Sequence, residues 1–408
     1  MDVAVDGNGK RMETDYGKRW TQDYPELGTD PVPVASRLTQ EYFDRERDTI
    51  FSKSWLNVGR EEQIAETGDF FVQDIAVCKA SVLLVRGKDG ESRGFHNVCP
   101  HRASKLVWGG SGCKRTFTCK FHGWTFDESG QLVGVPDEDG FYCLDKSENG
   151  LVRVATEVWN GFIFVNLDPN PKESLQEYLG EWGERLADYP FQGRTTCYAY
   201  QGEINANWKL CVSAFNEGYH VPFVHPMSAP ETFRSKKNLF CRPIWVKLYP
   251  RHQTYSFYAN PDSKMTALEA LSAKYGPIVS SGPLGCPPGA NPAGDPDWAL
   301  DANVVFPNFF VDVANDWYFT YNFWPIAPDR TFYQVKSYFV PPKTASERFA
   351  HEYGRVLLRD VLLEDVETIE HTQLGLASGV RSHYILQDSE ILIRHHLKTV
   401  ENHVENRV

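Results

Sequence analysis

A chain of 408 residues, 41% hydrophobic, 24% charged and 13% aromatic, has the composition of an ordinary globular protein, with room for roughly two or three domains. Its formal net charge of −12 argues against nucleic acid and against an anionic membrane surface as partners, because both require a basic face. No apolar window is long enough to span a membrane, and the opening MDVAVDGNGKRMETDYGKRW lacks the apolar stretch of a signal peptide, so the expected compartment is the cytoplasm.

The first 38 residues are polar and contain proline, and they are expected to pack over the surface of a later domain. From Thr39 to Trp55 the apolar residues follow a helical rhythm. The segments FFVQDIAV, SVLLVRG and RGFHNVC then alternate between apolar and polar positions, with Gly and Asp between them. That is the pattern of a small antiparallel β unit, closing near Phe164 in WNGFIFVNLD. Around Pro171 an α+β region begins. Its expected helices are SLQEYLGEWGERLADY, NWKLCVSAFNEGYH and residues 346–377. Its expected strands include RPIWVKLYP, WYFTYNFWPIA and TFYQVKSYFV. The Gly/Pro-rich stretch 276–297 reads as an irregular excursion, a lid or an entrance. The expected divisions are 1–38, 39–165 and 166–408, and no internal repeat is visible.

Nine cysteines are scattered without the spacing of a disulfide scaffold, which favours metal ligands and buried thiols. Four residues stand out. Cys99-Pro100-His101 is followed, after 17 intervening residues, by Cys119-Lys120-Phe121-His122. Two Cys-plus-His pairs satisfy either one tetrahedral zinc or a [2Fe–2S] cluster with two histidines on one iron. A zinc site more often takes two like ligands from one segment. Here each segment offers one sulfur and one nitrogen, which suits Cys99 and Cys119 on one iron and His101 and His122 on the other. The glycines at 109, 110, 112 and 123 permit tight loops, and Phe121 and Trp124 are placed to shield a cluster. Cys113 fits neither pair and reads as a small buried residue.

A second constellation lies in NWKLCVSAFNEGYHVPFVHP, where His220 and His225 are five apart. On a regular helix that spacing separates them by about 140°. Pro222 is expected to break the helix between them and let the second imidazole swing back. Two histidines and one carboxylate, with open positions left over, make the facial triad of non-haem Fe(II) oxygenases. The carboxylate must come from elsewhere, and the helical segment LLRDVLLEDVETIEHTQLGLASG offers Asp360, Glu364, Asp365, Glu367 and Glu370.

Taken together, CPHRASKLVWGG, CKFHGWTFDESGQL and the NWK…EGYH…H stretch resemble the Rieske non-haem iron oxygenase catalytic (alpha) subunits. The resemblance implies an α+β fold, with a small β Rieske [2Fe–2S] domain joined to an antiparallel-sheet helix-grip (START-like) catalytic domain. It also singles out the third iron ligand. Glu364-Asp365, Glu370, Gln373, Gly375-Leu376 and Ser378 look like the family segment whose aspartate binds iron, which points to Asp365, with Glu364 as its nearest rival. Glu217 looks like the family's inter-subunit electron-transfer bridge, which implies a homotrimer. Relatives usually carry Asp there, and a Glu leans toward the quaternary-amine oxygenases. Ala214 stands where relatives often carry Asn.

No G-x-G-x-x-G fingerprint for a dinucleotide is present. The family reading therefore requires a separate NAD(P)H-dependent reductase, with or without ferredoxin, and leaves a small β subunit open. Lys105, Lys114, Arg115 and Lys120 form a local basic patch where a donor could dock. Phe215, Phe223, Trp245, Phe306, Phe309, Phe310, Trp317 and Phe323 are candidates for the pocket lining, and about a third of them are expected to reach it. The expected substrate is a small, apolar, aromatic molecule taken with O₂. Asp312 and Asp316 keep a quaternary amine in play. A Rieske electron-transfer protein without oxygen chemistry, and a structural zinc domain, are the remaining alternatives.

Overall fold

A computed structural model describes residues 18–229, 231–276 and 286–407. The first 17 residues of the polar opening, and 277–285 within the Gly/Pro-rich stretch, lie outside the described residues. The chain divides into two compact units. One comprises residues 44–187 with 324–326. The other comprises 18–43, 188–323 and 327–407.

The first unit is built on a seven-stranded sheet. Its strands run in the order Leu56–Arg60, Phe162–Asn166, Arg153–Trp159, Ser92–His96, Ala80–Arg86, Asp69–Ile75 and Ser111–Cys113. Beside it is a three-stranded sheet of Thr116–Thr118, Thr125–Asp127 and Leu132–Gly134. The short strands alternate so that one apolar residue of each points inward. Phe117 lies directly opposite Phe126, and both are fully buried. Phe117 also meets Phe70 edge-on at 5.3 Å. Each such ring contributes about 1.5–3 kcal/mol through burial. Cys99, Cys119 and Trp124 belong to this same apolar cluster, so the motif loops grow directly out of the core.

The second unit is a seven-stranded antiparallel sheet with helices. Its strands are β1 (Thr196–Ile204), β2 (Trp245–Leu248), β3 (Gln253–Tyr258), β4 (Trp298–Val305), β5 (Phe309–Val313), β6 (Trp317–Ala327) and β7 (Arg330–Phe339). They lie in the order β1-β7-β6-β5-β4-β3-β2. The first six residues of edge strand β1 alternate between half-buried and exposed, whereas the first seven residues of inner strand β6, 317–323, are all buried. A strand covered on both faces reads as a continuous apolar run, which is why WYFTYNFW carries so little polarity. The helices that matter for the site are α1 (Trp208–Ala214), α2 (Val221–Val224), α3 (Ala345–Ala377) and α4 (Ile391–Val404). Thr344 and Glu347 cap the start of α3 reciprocally. Helix α3 packs against both α1 and α2.

Residues 18–43 group with this second unit. Val32–Pro33 pairs with His383–Tyr384, and the amides of Trp20 and Thr21 donate to Asp388. Among the described residues, no helix is long and apolar enough to cross a membrane.

Candidate metal centres and the adjoining pocket

The two Cys/His loops share one backbone design. In the first, the Ala103 amide donates to the Cys99 carbonyl (3.0 Å) and the Cys99 amide to Ser104 (2.8 Å). In the second, Gly123 donates to Cys119 (2.9 Å) and Cys119 to Trp124 (2.8 Å). Ala103 and Gly123 occupy the matching positive-φ positions, at 57° and 75°. Glycine suits that conformation, while alanine there costs of order 1 kcal/mol.

Both cysteines are buried. Burial first, and then the neighbouring thiol, pushes the Cys99 thiol up to about 11, opposed by the amides of His101 and Arg102 pointing at its sulfur. A metal bound to such a thiol removes its proton outright. The imidazoles of His101 and His122 lie 4.5 Å apart, centroid to centroid, and are half-buried. Two inner sulfurs, amides aimed at sulfur and two outer rings form a donor set that fits a [2Fe–2S] cluster with histidines on the outer iron.

Three expectations change here. Trp124 is buried and stacks on His101 (4.9 Å, 8°), whereas Phe121 is 55% exposed and lies against His122 rather than enclosing the loops. Cys113 is exposed, on an edge strand, not buried. The basic patch is partly spent: Lys105 pairs with Asp74 at 3.0 Å, and Lys120 lies 4.2 Å above the Trp108 ring.

The second centre begins at α1, where the Asn207 side chain caps the helix by accepting from Lys209 at 3.0 Å. The helix ends at Ala214, earlier than its apolar pattern predicts, and residues 215–220 are not helical. Pro222 therefore does not break a helix. It sits in the first turn of the short helix α2, which His220 precedes and His225 follows. Proline is favoured in a first turn, where its missing N–H costs nothing. The two histidines bracket four residues, and their rings come within 5.3 Å.

From α3, the Asp365 carboxylate reaches between them. Its Oδ1 lies 3.4 Å from His220 Nε2 and 3.2 Å from His225 Nε2. One donor atom from each of the three residues falls within 4.8 Å of the others. The opposite ring nitrogens are held by further carboxylates. Glu217 bonds to His220 Nδ1, and Glu364 bonds to His225 Nδ1 at 2.8 Å. Ser228 Oγ donates to the same Glu364 oxygen. Anchoring Nδ1 turns each Nε2 inward, the arrangement that orients histidine ligands around a metal. Burial would lower the His220 pKa, but Glu217 and Asp365 override it and raise it to about 9. Three carboxylates crowded on two imidazoles create a demand for positive charge that one divalent cation satisfies, and the donor set fits iron.

Of the five candidate acids on α3, only Asp365 joins the triad. Glu364 lies behind His225, Glu370 accepts from the Asn205 amide at 2.8 Å, and Asp360 pairs with Arg359. The helical period could have identified it. Gly354, Leu358, Leu362, Asp365 and Ile369 form one buried stripe, with Asp365 its single charge.

The triad opens into a cavity with about 990 Å³ of empty space, part of it open to solvent. Its walls include Phe215, Tyr255, Phe257, Trp317, Phe319 and Tyr321. Of the eight expected lining residues only Phe215 and Trp317 reach it; Phe310 and Phe323 instead pack against Tyr321, and Phe223 lies on α2. Asp312 lines this cavity and Asp316 does not. A second cavity of about 770 Å³ shares Glu217, His220 and Asp365, and Ala214 and Glu390 line it.

Residues 191–406 match the family of ring hydroxylating alpha subunits (catalytic domain), and residues 54–151 match the Rieske [2Fe–2S] domain. The chain belongs to the Rieske oxygenase alpha-subunit family. Its cofactors are accordingly a Rieske [2Fe–2S] cluster and a mononuclear iron. Among curated relatives of this Rieske oxygenase chain, the carnitine monooxygenase oxygenase subunit of Acinetobacter pittii (strain PHEA-2) is 33% identical over 196 residues. That alignment takes in 48% of this chain and 52% of the relative. The alpha subunit of chlorobenzene dioxygenase from Cupriavidus sp. (strain PS12) is 32% identical over 219 residues, covering 52% and 46%. The chain thus spans about half the length of these relatives. The solved structure of a quaternary ammonium Rieske monooxygenase superposes with a TM-score of 0.72 at 22% identity, covering 92% of this chain and 96% of the other, which shows a shared fold.

Proposed function

We propose that Cys99, His101, Cys119 and His122 hold the [2Fe–2S] cluster, and that His220, His225 and Asp365 hold the mononuclear Fe(II) of a terminal oxygenase component. On this reading the chain takes O₂ and electrons from a separate NAD(P)H-dependent reductase, directly or through ferredoxin, and hydroxylates or dihydroxylates a small, apolar, aromatic molecule. The observation that carries it is the convergence of His220, His225 and Asp365 on one point at the wall of an aromatic cavity. Iron bound by three protein ligands keeps positions open for O₂ and supplies its activation. The protein's own work is to aim both Nε2 atoms through Glu217 and Glu364, to hold the Asp365 carboxylate between them and to keep the adjoining space apolar. On this reading Glu217, bonded to His220, bridges it to His122 of a neighbouring subunit, so that electrons pass from cluster to iron across a homotrimer's subunit boundary. A second reading, monooxygenation of a quaternary amine, is favoured by the glutamate at position 217 and by the substrate named for the 33%-identical relative.

The test is an anaerobic assay of iron and acid-labile sulfide, with an electron paramagnetic resonance spectrum after dithionite reduction. About three irons and two sulfides per chain are expected, with a spectrum of the histidine-ligated type. His220→Ala should fall to about two irons while keeping its sulfide. A freshly prepared protein holding zinc and no sulfide would overturn the proposal.

A further inference from the structure

The sheet places one carboxyl group on the pocket wall that neither metal centre uses. Asp312 of β5 lies directly opposite Phe319 of β6, and Phe310 lies opposite Tyr321. Directly opposed residues share a face of a sheet, so Asp312 projects on the same side as Trp317, Phe319 and Tyr321, all of which line the cavity. Asp312 is 5% exposed.

Its surroundings are arranged for a negative charge and then stop short. The Asn303 amide donates to Asp312 Oδ1 at 3.1 Å. Yet among the described residues that line the cavity none is lysine or arginine, and the two histidines there are turned toward Asp365. The other acids on the wall, Glu217 and Asp365, are engaged with His220 and the triad. A buried carboxyl with a donor but no counter-ion is costly beside a hydrocarbon ligand and favourable beside a cation. Burial first, and then the nearby Asp301 carboxyl, pushes Asp312 well above the usual carboxylate range, a shift that a positive partner beside it would oppose. Aromatic faces on the same wall also attract a cation.

We infer that Asp312 is a specificity-determining residue that accepts a positively charged nitrogen carried by the substrate, while the substrate's apolar body lies against Trp317 and Phe319. This rests on the proposed reading of the cavity as the substrate pocket. It joins the apolar and the amine readings in one class of ligand, an amine with a hydrophobic or aromatic body.

The experiment compares two probes on the metal-replete chain by titration calorimetry. They are 2-phenylethylamine, protonated at pH 7.5, and 2-phenylethanol, which keeps the ring and a polar head but no charge. Wild type should bind the amine roughly tenfold or more tightly than the alcohol. Asp312→Asn should bring the two within about threefold of each other, with iron and sulfide content unchanged. Tyr321→Phe, which leaves the carboxylate in place, should keep the preference. Equal affinities in wild type, or a preference that survives Asp312→Asn, would overturn the inference. If Asp312→Asn does not fold, the wild-type comparison decides. Alcohol binding without charge preference, in a chain with full iron, removes only the role of Asp312. A chain that lacks the second iron and binds neither probe removes the pocket reading with it.

Discussion

Asp365 and Glu364 are adjacent on α3, yet they face different sides of one histidine. Asp365 meets the Nε2 atoms, while Glu364 accepts from His225 Nδ1 and from Ser228. A single rotation of 100° along the helix separates a proposed iron ligand from a residue that aims another. Glu364→Ala leaves all three proposed ligands in place but frees the His225 ring, and it should weaken iron binding about 10- to 100-fold. Iron content measured against a graded chelator, with sulfide as internal reference, checks this. Unchanged iron retention would show that His225 is oriented by packing alone.

The break between α1 and α2 does what no regular helix could. Residues 215–220 turn the chain so that His220 and His225 bracket a four-residue helix and point at the same carboxylate. Gly218 sits in that break against Cys241. A Cβ on Gly218 would come within 2.4 Å of the Cys241 carbonyl oxygen, a backbone atom that cannot step aside as a side chain can. Gly218→Ala should therefore push the Glu217–His220 segment away from Asp365. The expected outcome is a loss of about 1–3 kcal/mol in unfolding free energy, together with loss of the mononuclear iron and retention of the sulfide. Urea denaturation and metal analysis read the two effects separately.

At the scale of the whole molecule, α4 carries a pH dependence. His395 and His396 are buried, His395 beside Gln253 and His396 beside the Pro307 carbonyl, and burial lowers both pKa values to about 4. An unfolded histidine titrates near 6.5. Between those two values the unfolded chain binds more protons than the folded one, so stability rises with pH across the window and falls on acidification. The ceiling is roughly 3 kcal/mol per histidine, reached below the folded pKa. Glu390 acts in the opposite sense. Burial raises its pKa to about 7, so its contribution is lost as pH rises through that value. Two imidazoles outweigh one carboxyl, and the urea midpoint should fall from pH 6.5 to pH 4.5 with net proton uptake on unfolding. A flat midpoint would mean that the imidazoles are hydrated in the folded state.

The amino-acid sequence by itself determined what local chemistry and periodicity encode. Cys99-x-His101 and Cys119-x-x-His122 carry the cluster motif in their spacing, because tight loops bring near neighbours together whatever surrounds them. The long helix was legible as residues 346–377 and is observed as Ala345–Ala377, since its buried stripe repeats with the helical period. The tertiary structure alone decided the rest. The end of α1 at Ala214 and the place of Pro222 at the start of α2 follow from packing rather than from propensity. So does the separate role of Glu364. Most of the expected pocket aromatics went elsewhere because sheet order and tertiary position, which no local pattern states, choose what each ring meets. Asp312 matters for the same reason. Its position opposite Phe319 is a fact of strand register, and only register sets a carboxyl among aromatic rings at the wall of the cavity that His220, His225 and Asp365 share.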